Sequence, residues 1–281
     1  MNASKNLLTI PGIATALCAS IACGDNGSDD TIEPPLRWTL TWADEFNGDA
    51  GELPDSTMWA FDVGGDGFGN GQLEYNTDAA TNAAHDGIGN LVITAREEAF
   101  EGNRFTSARL KTQGLFEQEN GLFEARIRLP IGQGIWPAFW MLGADFDEVG
   151  WPQTGEIDIM EYRGQEPSVI HASLHGPGYS GASPITTTLR LEDDETFADD
   201  FHVFSVEWDP GRIAWSLDGE VFQIISTSDV AVRGPWVFDH EFFILLNLAV
   251  GGSFVGDPDE TTEFPQRMEI DYVRVFERNA P

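Results

Sequence analysis

Apolar and polar residues alternate in short runs along most of the chain beyond residue 37, and Gly, Pro, Asn or Asp separates the runs. Such alternation is typical of β-strands with one buried face. The clearest runs are 91–95, 121–129, 203–208, 212–217, 242–248 and 268–276. Asp218-Gly219 predicts a tight hairpin turn, and 192–200 is compatible with a loop or a short helix. The pattern predicts an all-β sandwich of two sheets, whose curvature would form a concave groove long enough for a polymer.

One run, residues 155–162 (GEIDIMEY), carries three carboxylates among apolar residues. Side chains two apart on a strand point to the same face, so Glu156 and Asp158 share one. Strict alternation would place Glu161 on the opposite face, with the isoleucines. A β-bulge near Met160 adds one residue and returns Glu161 to its two partners.

Three carboxylates on one face repel one another, so at least one is expected to hold its proton near neutral pH. A carboxylate beside a carboxylic acid is the pair that retaining glycoside hydrolysis needs: one attacks the anomeric carbon and the other protonates the leaving oxygen. The alternative is an acidic, solvent-exposed strand face, which is disfavoured because like charges on a strand repel.

Aromatic residues and histidines form the next candidate group. Trp136 and Trp140 are an even number of residues apart, so a strand would place both on one face, where indoles can stack on sugar rings. The alternative is that one or both lie in the core. His171 and His175 bracket a predicted strand; His171 is expected to be structural, and for His175 a structural and a sugar-binding role stay open.

The balance of charge narrows the class of partner. The chain of 281 residues has 47 acidic and 15 basic residues, for a formal net charge of −32. This acidity argues against nucleic acid, anionic membranes and polyanionic substrates. The sequence has no HExxH motif, Gly-rich phosphate loop or nucleophile elbow, and paired-carboxylate hydrolysis needs no cofactor.

The N-terminal region predicts export. Residues 1–22 resemble a signal peptide, and 20–23 resemble a lipobox with Ser20 where Leu is usual. Either Cys23 carries a lipid or ordinary signal cleavage occurs, which predicts a secreted protein or an outer-membrane lipoprotein of a bacterium. Residues 23–36 predict a disordered acidic linker, and 37–281 a single catalytic domain without cysteines.

Several further segments resemble one family. Together with 155–161 they are 42–48, 69–75, 121–126, 136–142, 201–203 with 207–208, 246–252 and 271–275. In this order they are similar to glycoside hydrolase family 16, within it the bacterial laminarinase (endo-β-1,3-glucanase) branch. Gln72 departs from the Glu of many relatives, and 176–200 matches no part of the pattern.

The resemblance implies a β-jelly roll of two curved antiparallel sheets. It makes Glu156 the nucleophile, Glu161 the acid/base and Asp158 the residue that orients the nucleophile. It implies five substrate-binding residues, which are Asn70, Arg109, Trp136, Trp140 and His175. The implied activity is retaining endo-hydrolysis of β-1,3-glucans such as laminarin by a monomer. An agarase or other galactan hydrolase of the same fold, and a β-glucan recognition protein that does not cut, are the alternatives.

The resemblance also implies a structural calcium ion away from the catalytic face. Its ligands would be the Glu45 carboxylate, the backbone of Gly89 and Asp271, since oxygen donors suit calcium. The alternative for Glu45 and Asp271 is a pair of surface carboxylates.

Overall fold

The computed structural model describes residues 37–192 and 195–279. The predicted signal peptide (1–22), the predicted linker (23–36) and Cys23, for which a lipid is one of two alternatives, therefore lie outside the described residues. Within the described ranges, no helix is both long and apolar enough to cross a membrane.

The described residues form strands with two single-turn helices, α1 (Phe146–Val149) and α2 (Thr227–Val230). The strands are β1 (Trp38–Asp44), β2 (Ala60–Phe61), β3 (Glu74–Asn76), β4 (Ala83–His85), β5 (Leu91–Phe100), β6 (Asn103–Ser107), β7 (Arg109–Lys111), β8 (Gly121–Arg128), β9 (Ile135–Gly143), β10 (Glu156–Tyr162), β11 (Val169–His175), β12 (Ile185–Arg190), β13 (His202–Asp209), β14 (Arg212–Leu217), β15 (Glu220–Ser226), β16 (Phe242–Val250) and β17 (Gln266–Arg278). All six predicted strands are present, and 195–200 forms turns rather than a helix.

The larger sheet has the strand order β15-β14-β13-β8-β17-β5-β6-β3, with β1 paired to β17 and β4 to β5. The pairs are antiparallel except β3 with β6, which run parallel. The alternation of apolar residues could not predict this parallel pair. Alternation indicates which face of a strand is buried, but it does not indicate which strand pairs with it or in which direction.

The second sheet has the order β12-β11-β10-β9-β16-β7-β2. The central strand β9 alternates between its two faces. Phe139 and Met141 join the main core, whereas Trp136 and Trp140 lie on the opposite face with smaller apolar clusters. This outer face of the second sheet carries the groove described below.

The core lies between the sheets and fixes β10 from behind. Phe123 of the larger sheet and Phe139 and Ile157 of the second sheet are fully buried in it. Trp215 of β14 is also buried, and its indole Nε1 donates a 2.9 Å hydrogen bond to the backbone carbonyl of Asp158. This bond ties the carboxylate-bearing strand to the opposite sheet.

The predicted hairpin is confirmed between β14 and β15. Asp218 has φ +50° and Gly219 has φ +84°, and positive φ at both central residues is the geometry of a type I′ turn. Asp and Gly adopt this conformation more readily than other residues, which explains why the dipeptide signals the turn.

Candidate active site

A β-bulge in β10 brings three carboxylates to one face. Asp158 pairs with Trp140 of β9, but the next pair is Met160 with Phe139, so the register shifts by one residue. Ile159 and Met160 both enter the core, and Glu161 lies on the outer face. The bulge predicted near Met160 is confirmed, and it follows from burying two consecutive apolar residues.

The outer face opens into a cavity of about 800 Å³, a size suited to small-molecule or sugar binding. Seven predicted site residues line it, namely Asn70, Arg109, Trp136, Trp140, Glu156, Glu161 and His175. Asp158 lies beneath them with 2% of its surface exposed. The structure thus brings the predicted catalytic and substrate-binding residues together.

Indole N–H groups hold the two glutamates. Trp151 Nε1 donates to Glu156 Oε2 at 2.9 Å, and Trp136 Nε1 donates to Glu161 Oε1 at 3.1 Å. Each bond favours the ionised form of its carboxyl group and fixes the orientation of that group in the cavity.

His175 faces the same cluster. Its Nδ1 accepts a 3.2 Å hydrogen bond from the backbone N–H of Gly181, so the proton of the neutral ring resides on Nε2. Nε2 lies 3.2 Å from Asp158 Oδ2 and 3.7 Å from Glu156 Oε1. The imidazole therefore presents its proton to the carboxylates.

Burial raises the pKa of all three carboxyl groups. For Glu156 and Glu161, desolvation is the larger cause and the charge of Asp158 adds to it, whereas His175 lowers the pKa of both. Desolvation also raises the pKa of Asp158, and its hydrogen bond with Glu156 opposes the rise. The cluster thus retains protons near neutral pH, as like charges in a poorly solvated site require.

The two tryptophans of β9 form an aromatic wall beside the cluster. The Trp140 indole donates to Asn247 Oδ1 at 2.7 Å, and the Arg109 guanidinium lies 4.8 Å from its ring centroid. Trp136 packs against Phe254, with ring centroids 5.0 Å apart. Both indoles belong to the cavity wall rather than the main core, although Trp136 is only 8% exposed.

Comparison with known proteins agrees with this geometry. The family model of glycosyl hydrolases family 16 matches residues 71–274. The chain belongs to this family. The match spans β3 to most of β17 and includes the bulged strand, so the fold is the jelly roll of that family.

Two relatives and one solved structure illustrate the similarity of this family 16 chain. A beta-glucanase of Rhodothermus marinus is 40% identical, covering 94% of this chain and 93% of the relative. A glucan endo-1,3-beta-glucosidase of Cryptopygus antarcticus is 40% identical over 86% of this chain and 93% of the relative. The crystal structure of the laminarinase catalytic domain from Thermotoga maritima superposes with a TM-score of 0.82 at 45% identity, covering 86% and 99%.

Other residues of the family 16 site were not found from the sequence. Trp151 hydrogen-bonds Glu156, and Phe68, Arg163 and Phe254 line the cavity. All four lie outside the strands, where alternation gives no direction. An aromatic residue in the Gly-Trp-Pro turn five residues before Glu156 was the one available signal.

His171, expected to be structural, also lines the cavity. Its ring makes a T-shaped contact with Phe254 at 5.1 Å. Burial lowers its pKa to about 4, and the nearby Arg163 adds to that effect. The ring is therefore neutral at neutral pH, and it both packs against the wall and faces the cavity.

Two of the three predicted calcium ligands, Glu45 and Asp271, are engaged by arginines. Arg274 donates to both oxygens of Glu45 at 2.8 and 2.9 Å, and Arg126 donates to Asp271 Oδ2 at 2.6 Å. Calcium prefers several unpaired oxygen donors. In the described arrangement this donor set does not fit the ion unless both arginines release their partners.

Proposed function

We propose that the chain is a retaining endo-hydrolase of β-1,3-glucans of the laminarin type. The observation that carries this is the bulged strand, which holds Glu156, Asp158 and Glu161 on one face beside the aromatic wall. The names of the relatives, a beta-glucanase, a glucan endo-1,3-beta-glucosidase and a laminarinase, support the substrate class.

In the first step, ionised Glu156 attacks the anomeric carbon of the sugar. Glu161 gives its proton to the glycosidic oxygen, the bond to that oxygen breaks, and a covalent glycosyl ester forms on Glu156. The hydrogen bond that Trp151 donates to Glu156 stabilises the charge of that carboxylate before attack. Burial of Glu161 keeps it protonated for this role.

In the second step, Glu161 is a carboxylate and takes a proton from water. The resulting hydroxide equivalent attacks the anomeric carbon and releases Glu156, so the configuration at that carbon is retained. Asp158, buried beneath Glu156, orients its carboxyl group and shares the proton of the cluster.

Two rival functions remain to be tested against this proposal. A recognition protein that does not cut has no need of two glutamates held by indole N–H groups in one cavity. A hydrolase of sulfated galactans needs free cations, but Arg109 is paired with Asp62 at 3.1 Å and Arg163 with Glu166 at 3.3 Å. The first arrangement favours an enzyme over a binding protein, and the second favours a neutral polysaccharide over a sulfated one. Neutral agarose therefore stays the stronger galactan alternative.

The test combines a polysaccharide panel with product stereochemistry. Laminarin, lichenan, agarose and carrageenan are incubated with the protein, and reducing ends are measured. On laminarin, proton NMR should show the β-anomer first, before mutarotation. If only agarose is cleaved, the substrate is a galactan and not a glucan. Initial release of the α-anomer would overturn the retaining mechanism. Binding of laminarin without new reducing ends would show a recognition protein that does not cut.

We further propose that the protein is exported, either with a lipid on Cys23 or after ordinary signal cleavage, and acts as a monomer. The sequence pattern of residues 1–23 supports export. Metabolic labelling with palmitate, compared between the natural chain and Cys23→Ala, separates the two forms, and light scattering reports the mass in solution.

A further inference from the structure

The loop between β11 and β12, residues 176–184, forms one wall of the cavity. Gly181, Ala182 and Pro184 line it. A Cβ atom at Gly181 would lie 3.8 Å from the ring of Trp151, which itself holds Glu156. The wall therefore stands beside the indole that hydrogen-bonds the proposed nucleophile.

This wall is held from outside the cavity by the segment after α2. Arg233 is exposed, and its Nη2 donates to the Ser183 carbonyl at 2.6 Å and to Ser183 Oγ at 3.1 Å. The buried Tyr179 donates its hydroxyl to the Pro235 carbonyl at 2.7 Å. Tyr179 anchors the first half of the loop, and the Arg233 contacts hold its second half from outside the cavity.

The second half of this loop, residues 180–184, also sets the tautomer of His175. The N–H of Gly181 donates to Nδ1, two residues from Ser183. In the opposite tautomer, the Nδ1 proton would oppose this N–H and the Nε2 lone pair would face carboxylate oxygens. Both contacts would be repulsive, so the loop position and the tautomer are linked.

We propose that Arg233 is a positioning residue of the active site: through Ser183 it holds residues 180–184 so that the Gly181 N–H keeps the His175 proton on Nε2, facing Glu156 and Asp158. The inference rests on the proposed function for its kinetic consequence, whereas the tautomer itself is independent of any activity. Arg233 touches neither the cavity nor the reacting atoms.

The consequence is a dependence of the acidic limb of the pH profile on Arg233. Glu156 and Asp158 on β10 face His175, Trp151 packs beside it with ring centroids 6.0 Å apart, and Glu161 lies further along β10. Glu156 must be ionised to attack. In the other tautomer the Nε2 lone pair, rather than the Nε2 proton, faces the Glu156 carboxylate 3.7 Å away. The charge of Glu156 is then less stabilised, so the acidic limb of kcat/KM moves to higher pH.

The first experiment reads the tautomer by nitrogen-15 NMR of labelled protein, at a pH where the imidazole is neutral. The natural chain and Arg233→Lys should show the proton on Nε2. Arg233→Ala should show a mixture of tautomers, because Lys can still donate to Ser183 and Ala cannot. Arg267→Ala, an exposed arginine on the larger sheet, is the matched control and should match the natural chain.

The second experiment measures kcat/KM for laminarin against pH in the same four proteins and in two variants of His175. Arg233→Ala should lose about 2- to 10-fold, the effect of one hydrogen bond, and its acidic limb should shift upward. His175→Gln, with an amide donor near the Nε2 position, should keep the natural limb better than His175→Asn, whose shorter side chain cannot reach it.

The inference would be overturned if Arg233→Ala kept the proton on Nε2 and an unshifted pH profile. It would also be overturned if Arg233→Lys did not show the tautomer and the pH profile of the natural chain. If Arg233→Ala does not fold, Arg233→Met gives the same test, since it keeps the apolar stem of the side chain and removes the donor to Ser183. Absence of laminarin hydrolysis in the natural chain would overturn the proposed function. The NMR result on the His175 tautomer would still decide whether Arg233 positions the loop.

Discussion

At the scale of single residues, the site depends on which N–H group each carboxyl group accepts from. Glu156 accepts from Trp151 and Glu161 from Trp136, although the three carboxylates are chemically alike. Burial raises the pKa values of both glutamates, so their separate hydrogen-bond partners are what allow one to act as the nucleophile and the other as the acid.

The roles of the two glutamates can be separated with azide on an activated aryl β-glucoside. In Glu161→Ala, the covalent intermediate still forms and azide replaces water, so the product should be the β-glycosyl azide. In Glu156→Ala, azide occupies the place of the nucleophile and should give the α-glycosyl azide. The reverse pattern, read by NMR, would exchange the two assignments, and Glu166→Ala serves as the control without a change of product.

The Trp136 indole should influence the pH profile more than Trp140 does. Trp136→Phe keeps an aromatic ring but removes the indole N–H that lowers the pKa of Glu161. Since Glu161 acts in its protonated form, the basic limb of kcat/KM should move to higher pH by about 0.4–1 unit, the worth of one hydrogen bond.

Trp140→Phe is the matched control, because its N–H binds Asn247 instead. It should leave that limb in place and raise KM. A shift of the limb in Trp140→Phe alone would contradict the assigned contacts.

The sequence predicted site residues by two routes: strand alternation gave the direction of some, and the family resemblance alone gave Asn70 and Arg109. Glu156, Asp158 and the tryptophans of β9 were found because side chains on a strand have a defined face. The indole of Trp151 was missed since its direction depends on the turn after β9, and the loop wall at Gly181 contributes a backbone N–H that no residue type reveals.

At the scale of elements, strands with an apolar face were recognised and polar ones were not. β12 reads ITTTLR, and its alternate residues are exposed, so it carries almost no hydrophobic signal. It nevertheless extends the groove, since Thr186 lines the cavity and hydrogen-bonds Ser173 of β11. Its place at the sheet edge was set by pairing with β11, which the sequence pattern alone does not encode.

The β14–β15 hairpin should tolerate loss of its glycine poorly. Gly219→Ala meets no neighbouring atom within 4 Å, so its cost is the backbone strain at positive φ, about 1–2 kcal/mol. That corresponds to a fall in Tm of about 2–8 °C for a domain of this size. Activity at moderate temperature should be unchanged, because the turn lies on the larger sheet. Thermal unfolding of Glu220→Ala is the control, and an equal fall there would refute the strain argument.

At the scale of the whole molecule, buried acids make stability depend on pH. Glu74 is fully buried and accepts from the Val250 N–H at 2.8 Å, and burial raises its pKa from 4.5 to about 7. The folded state then binds a proton that the unfolded state has lost between these values. Stability is therefore fully present below about pH 4.5 and falls as the pH rises through about 7, by at most about 1.4 kcal/mol per pH unit.

Glu74→Gln should flatten this dependence. Urea unfolding at pH 5, 6, 7 and 8 should show a smaller decline than in the natural chain, with the remainder due to Glu156, Asp158 and Glu161, whose pKa values are also raised. The exposed Glu220→Gln should reproduce the natural slope. An unchanged slope in Glu74→Gln would mean that Glu74 is ionised in the folded protein.

Calcium, if bound, should also act on the whole molecule. We propose that Glu45 and Asp271 bind calcium only when the ion replaces their arginine partners. The effect of a chelator on Tm tests whether the ion is bound. With a stabilising ion, chelation should lower Tm and re-addition of calcium should restore it, without loss of activity at moderate temperature. Identical melting curves, with Asp271→Asn unaffected by chelator, would leave the two carboxylates as surface ion pairs.

The position of β17 has a consequence for how the chain reaches its folded state. This strand comprises residues 266–278, yet it lies inside the larger sheet and hydrogen-bonds β1, β5 and β8. During synthesis β1, β5 and β8 emerge long before β17, and their backbone groups that pair with β17 stay without these partners until it is made. The final pairing closes loops of well over a hundred residues, which makes it a late and slow event. Until β17 is in place, the larger sheet lacks the strand that joins β8 to β5, so the two sheets cannot enclose their common core.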